Sequence, residues 1–166
     1  INNTYKSLNS FKKNRICEYI GVSLYDFNKF DKIFKKYNFD IIQAPLNLFD
    51  QRFLDKKKMS FIKKKKIIFQ ARSIFLQGTL LNKNNFSKTK YYKKYHKFVN
   101  NSKQNKLFHC LNFIKQINFI NFIVIGISSF EEIREIFKNF EMKKKRVDYS
   151  ILKVNKKEII NPYLWN

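Results

Sequence analysis

Four short apolar runs, each followed by a stretch of helical periodicity, narrow the possible folds of this chain more than any other feature. The runs are Ile16–Ser23, Phe39–Ala44, Ile67–Ala71 and Phe122–Ile127. After the first, Phe27, Phe30, Ile33, Phe34 and Tyr37 form an amphipathic stripe that Asp26 can cap. A second helix fits Gln51–Lys64, with Phe53, Leu54, Phe61 and Ile62 facing inward. A third covers Lys106–Ile117. A fourth covers Ser129–Phe140, where Ser129 caps and Glu131 and Glu132 favour the positive helix start. Tyr5, Leu8 and Phe11 mark a helix end over Asn3–Asn14, ahead of the first run. The stretch Arg72–Asn105 is expected to be an extended loop holding a short helix at Tyr91–Val99.

Strands separated by helices of this length lie parallel, joined by right-handed crossovers. Runs without polar alternation suit strands covered on both faces. Two architectures fit: an open doubly wound sheet, or part of a barrel. The open sheet usually announces itself with a glycine-rich phosphate loop, but Gly21, Gly78 and Gly126 lie too far apart for one. Gly21 and Gly126 sit within or at the end of strand runs, which suits a barrel whose strand ends approach a ligand. The expected class is therefore α/β: four βα units and a tail, the C-terminal half of a (β/α)8 barrel. Four units cannot close, so two strand edges and half of the inner core would face water.

Composition adds limits. Hydrophobic residues make up 44% of the 166 positions, which argues for a packed core despite a formal charge of +23. Heavy joint use of Lys, Asn, Ile and Phe reads as a drift of the whole chain. A pI near 10.0 makes a polyanion partner the natural rival. The lysine runs Lys56–Lys58, Lys63–Lys66 and Lys143–Arg146 fall at helix ends and on polar faces, however. The phenylalanines follow core spacing rather than a stacking platform. Cys17 and Cys110 form no paired motif and are expected as free thiols in the cytoplasm. His109 beside Cys110 lacks the further ligands a zinc site needs. No secretory signal is visible, and the opening Ile1 suggests a piece of a longer chain. The most apolar window, Ile114–Ile127, is too short to span a bilayer.

In order, the strand ends read Gly21-Val22-Ser23, Gln43-Ala44-Pro45-Leu46-Asn47, Ala71-Arg72-Ser73-Ile74-Phe75-Leu76-Gln77-Gly78-Thr79-Leu80-Leu81 and Val124-Ile125-Gly126-Ile127-Ser128-Ser129. This succession resembles the aldo/keto reductase family, above all bacterial members with an Arg-Ser pair after the seventh strand. The likeness runs from about Ile16 to Trp165, and the ending with Pro162 and Trp165 is similar to the family's C-terminus. The resemblance implies that Ser23 and Gln43 hydrogen-bond a nicotinamide carboxamide. Arg72 stands where many members stack a Tyr on the nicotinamide ring. Ser73, Gln77 and Gly78 would line the pyrophosphate. Gly126, Ser128 and Ser129 would meet the adenosine side, with phosphate at the start of the last helix, and Glu135 matches a contact to adenine. Ile136 stands where Asn is common. Glu132 stands where many members carry Arg beside the ribose 2′-phosphate. NADP is the expected cofactor, with NAD left open.

The chemistry asks for such groups. Hydride transfer needs the nicotinamide held face-on, and a carboxamide is best fixed by donors and acceptors together. Pyrophosphate takes hydroxyls and backbone N–H groups. The family's proton-donating Tyr, with its Lys, Asp and His, belongs to the first half of the barrel, and no residue here replaces it. His96 and His109 lie in expected helices, and Tyr25 has no Lys or Asp partner in the sequence. Three readings follow. One is a partial NADP-dependent oxidoreductase acting on a small carbonyl substrate, inactive alone. Another is a half-barrel completed by a separate first half or by a copy of itself. The third is a non-enzymatic basic module, either a cofactor sensor or a nucleic-acid binder.

Overall fold

The computed structural model describes residues 1–25, 28–82 and 84–165. The expected capping residue Asp26 and its neighbour Phe27 lie outside the described residues. Four parallel strands form one sheet in sequential order: β1 (Gly21–Ser23), β2 (Ile41–Pro45), β3 (Ile68–Arg72) and β4 (Ile120–Val124). The helices are α1 (Asn2–Lys13), α2 (Lys29–Lys36), α3 (Lys56–Lys64), α4 (Lys90–Asn100), α5 (Lys106–Lys115), α6 (Phe130–Glu141) and the short α7 (Lys157–Ile160). The architecture is α/β with four parallel βα units, as expected for part of a (β/α)8 barrel.

Three boundaries differ from the expectation, each for a local reason. The first strand keeps only Gly21–Ser23. Before it, Ile16 and Tyr19 are exposed, and the Ile20 N–H donates to the Asp40 carboxylate rather than to a ladder. The stretch expected as one helix over Gln51–Lys64 breaks at Asp55. A 3-10 turn, Arg52–Leu54, precedes an extended Asp55 (φ −60°, ψ 126°), whose side chain accepts from the Lys58 N–H and caps α3. The fourth strand starts earlier and stops at Val124. Asn121 is bulged out of register there, and its side chain accepts from the Phe69 N–H at 2.8 Å.

Alternation along β2 and β3 separates the two faces of the sheet. Ile42, Ala44, Phe69 and Ala71 are wholly buried beneath the helices. They meet Phe30, Phe53, Ile62 and Leu111, which join them in one core. The other face carries Ser23, Gln43 and Gln70 in one row and Pro45, Arg72 and Val124 in the next. This face is only partly covered: Phe122 is 57% exposed and Val124 42%. The outer edges of β1 and β4 have no partner strand among the described residues. The continuous apolar run of the fourth strand is thus covered on its helix side alone.

The tail is pinned to α5. Asn112 exchanges two hydrogen bonds with the Lys145 backbone, and Gln116 does the same with Val147. Farther on, the Val154 N–H donates to the Phe49 carbonyl at 2.9 Å. Trp165 packs against Phe86, centroids 4.9 Å apart. No helix among the described residues is long and apolar enough to cross a membrane.

Candidate cofactor cleft

All four strands run the same way, so their carboxyl ends share one rim of the sheet. At this rim a cleft of about 440 Å³ opens between the loop after β3 and the start of α6. Of the residues expected to bind cofactor, Arg72, Ser73, Gln77, Gly78, Gly126 and Glu135 line it together. Ser128 sits at its edge through Glu132, another lining residue. The Ser128 N–H and hydroxyl donate to Glu132 Oε2 at 2.7 and 2.9 Å. Ser129 caps α6, its hydroxyl accepting from the Glu132 N–H at 3.1 Å. Ser23 and Gln43 do not line this cleft. They lie side by side on the exposed face of the sheet, and Gln43 Nε2 donates to Gln70 Oε1 at 3.1 Å.

The loop after β3 has a backbone the sequence did not announce. Ser73, Leu76 and Gln77 adopt φ of 54°, 48° and 54°, and Gly78 follows at 77°. Left-handed backbone in residues other than glycine costs energy and concentrates at functional sites. The turn folds on itself through bonds from the Leu76 N–H to the Ser73 carbonyl and from the Thr79 N–H to the Leu76 carbonyl. Among the described residues, the Gln77 and Gly78 N–H groups donate to nothing. A Cβ on Gly78 would meet nothing nearer than 4.0 Å, so glycine serves the backbone conformation there. At Gly126 a Cβ would point into open space. Gly21 differs from the expectation of a ligand approach: a Cβ there would come within 2.9 Å of Ile41 Cβ on the neighbouring strand.

Support for this loop comes from a buried polar group at the end of β2. Asn47 is fully buried; its Nδ2 donates to the Ser73 carbonyl at 3.1 Å, and its Oδ1 accepts from the Phe49 and Asp50 N–H groups. Asp50, also fully buried, takes a two-pronged ion pair from Arg52 at 2.8 and 2.7 Å. Nothing in the sequence alone marks Asn47 for this role. Its signal is only that of a polar residue inside an apolar run.

Among the described residues Arg72 forms no ion pair. Its guanidinium lies over the Tyr25 ring at 4.7 Å and donates to the Ser73 hydroxyl at 3.3 Å. Tyr163 meets Tyr25 edge-on, centroids 4.9 Å apart. Burial raises the Tyr25 phenol above its ordinary range, and the neighbouring guanidinium partly offsets this.

His109 is buried on α5, away from the cleft. Its ring nitrogens meet the Tyr149 hydroxyl at 3.0 Å and the Ser102 hydroxyl at 2.7 Å. Burial lowers its pKa from the ordinary 6.5, and the charge of Lys145 lowers it further. The donor order that satisfies every member has the Asn112 amide donating to Tyr149, Tyr149 to Nδ1, Nε2–H to Ser102, and Ser102 to the Val99 carbonyl. His109 is a structural histidine. Cys110 beside it is fully buried, and its thiol is pushed up to about 12 by burial.

A family model described as the aldo/keto reductase family matches residues 1–157. Among solved structures, the aldo-keto reductase AKR11C1 from Bacillus halodurans in its apo form superposes with a TM-score of 0.71 at 16% identity. The match covers 91% of this chain and 55% of that one, so the chain spans about half the length of this relative. The thermostable aldo-keto reductase Tm1743 matches with a TM-score of 0.61 at 19% identity, over 90% of this chain and 52% of that one. The glycerol dehydrogenase AKR11B4 from Gluconobacter oxydans gives 0.51 at 15% identity, over 87% and 55%. No curated protein matches the chain.

Proposed function

The chain belongs to the aldo/keto reductase family, and from that premise we propose that it is the cofactor-holding half of a carbonyl oxidoreductase. The cofactor is a nicotinamide dinucleotide, which supplies or accepts the hydride; the substrate is an aldehyde, ketone or sugar carbonyl. The observation that carries this reading is the single cleft shared by Arg72, Ser73, Gln77, Gly78, Gly126 and Glu135.

The residues present fit such a group. The unpaired N–H groups of Gln77 and Gly78, with the Ser73 hydroxyl, would bind the pyrophosphate. Glu135 and the open floor at Gly126 would receive the adenosine. Ser23 and Gln43, fixed in one row of the sheet, would hold the carboxamide, and Gln70 orients the Gln43 amide. The Arg72 guanidinium, held over the Tyr25 ring, would support the nicotinamide ring. The proton donor belongs to the other half of the barrel, which would also cover the exposed face at Phe122 and Val124. Tyr25, two residues beyond Ser23, is engaged with Arg72.

Fluorescence titration of the full-length protein with reduced nicotinamide dinucleotides tests the reading. Saturable enhancement that Gln43→Ala weakens and Lys64→Ala does not is the expected result. Salt-steep binding of duplex DNA with no dinucleotide signal would favour the basic-module reading instead.

A further inference from the structure

A second groove, of about 320 Å³, lies between α4 and the tail and shares no lining residue with the cofactor cleft. Its charged lining residues are all basic: Lys90 and Lys94 on α4, and Lys153 on the tail. Tyr91, Ile151, Leu152 and Val154 complete it. The groove belongs to the two inner strands. α4 follows β3, and the Val154 N–H donates to the Phe49 carbonyl beyond β2. The outer edges at β1 and β4 therefore do not account for its exposure.

Buried partners turn the lysines outward. Tyr92 and Tyr95 are wholly buried, and their hydroxyls donate to Thr79 Oγ1 at 2.7 Å and to the Leu80 carbonyl at 3.0 Å. Lys90, Lys93, Lys94 and Lys97 are left exposed on the opposite side of α4, a helix with no acid. Lys90 and Lys94 stand one turn apart, with about 6 Å between their Cβ atoms, and like charges at that spacing work against the helix. Lys90 also stands at the positive start of α4, where Thr89 makes no side-chain cap bond. On the tail, Leu152 and Val154 are buried, while Lys153 is exposed and Ile151 is 47% exposed. Among the described residues, none of the three lining lysines pairs with an acid.

We propose that this groove docks an acidic peptide segment of a partner protein, one whose carboxylates flank an apolar side chain. The carboxylates meet lysines from both walls, relieving charge that the chain leaves uncompensated. The apolar side chain covers Ile151 and the aliphatic surface beside it. A nucleic-acid strand would use the lysines and leave that aliphatic surface idle. Tyr91 is the one ring among the described lining residues, and Lys90 Nζ already lies over it at 5.5 Å.

The test is fluorescence anisotropy of the peptide acetyl-Asp-Glu-Leu-Phe-Glu-Asp-amide, dye-labelled, with the full-length protein at low salt. Saturable binding is expected, weakened about tenfold by the double reversal Lys90→Glu with Lys94→Glu. Ile151→Ser should weaken it about threefold or more, as should serine in place of the peptide's Leu and Phe. Lys64→Glu, the same reversal on α3, should change it by less than about twofold. Circular dichroism melting reports whether each variant is folded. If a groove variant is unfolded, the serine-substituted peptide on the unaltered protein decides. Equal weakening by Lys64→Glu would overturn the proposal, since bulk charge would then suffice. So would affinity indifferent to the peptide's apolar residues, or no binding of the peptide at all. Tighter, salt-steep binding of polyuridylate that the double reversal weakens and Ile151→Ser does not would also overturn it, assigning the groove to nucleic acid.

Discussion

The Asn47 side-chain amide donates to the carbonyl of Ser73 at 3.1 Å, tying the end of β2 to the first left-handed residue of the cleft loop. Asn47 is wholly buried, so its removal leaves the Phe49 and Asp50 N–H groups without a partner. Asn47→Ala should cost about 1–3 kcal/mol in denaturant unfolding. It should also weaken dinucleotide binding, although Asn47 does not line the cleft. Lost stability with unchanged affinity would separate the Asn47 support from cofactor binding.

Gly78 offers a complementary test. Alanine at φ 77° adds strain, and the new methyl would meet only Asn82 Nδ2, at an unstrained 4.0 Å. Gly78→Ala should destabilise by about 1–2 kcal/mol. Calorimetric melting checks this; no change would mean that the loop relaxes freely.

His109 predicts a pH dependence. Its pKa is lowered in the folded protein by burial and by Lys145, so the unfolded chain takes up its proton first. Stability is then complete above the ordinary value of about 6.5 and falls as pH drops from there toward the folded value. Protonation at Nδ1 would also set two donors, His109 and Asn112, against the single Tyr149 oxygen. Urea midpoints between pH 7.5 and 5.5, as round values about that pKa, should fall for the native chain and fall less steeply for His109→Gln. Parallel slopes would place the acid sensitivity elsewhere.

Expressed by itself, this stretch of chain should reduce no aldehyde with NADH or NADPH, because among the described residues neither phenol at the rim, Tyr25 or Tyr163, is hydrogen-bonded to a lysine or carboxylate that would tune it as a proton donor. Tyr25 is stacked under Arg72, and burial raises its pKa. Steady consumption of reduced cofactor, lost on Tyr25→Phe, would contradict this.

Much of the fold was legible because βα alternation is a property of residue periodicity. The helical stretches of α1, α4, α5 and α6 fall within a few residues of their expected ends. The misses follow from interactions that periodicity does not carry. Asp55 interrupts a helical pattern because a local cap outweighs continued helix, and Asn121 shifts β4 through one side-chain bond to Phe69. The cleft was legible in part. Motif order brought together residues from Arg72 to Glu135, whereas the run of positive φ at Ser73, Leu76 and Gln77 has no signal in residue types that usually avoid it. The chain's lysines hid the acidic end of the cleft, since a total of +23 says nothing about where two glutamates point.

Among the described residues the outer edges of β1 and β4 have no partner strand, which makes this stretch of chain a template in both lateral directions. Copies meeting edge to edge, β4 against β1, would extend the sheet, closing into a ring where the curvature allows and growing as an open ribbon where it does not. What keeps them apart in dilute buffer is mutual repulsion among lysine-rich surfaces, a barrier that dissolved electrolyte erodes. Added sodium chloride, ordinarily an aid to keeping a basic protein in solution, should here drive the lone half toward turbidity.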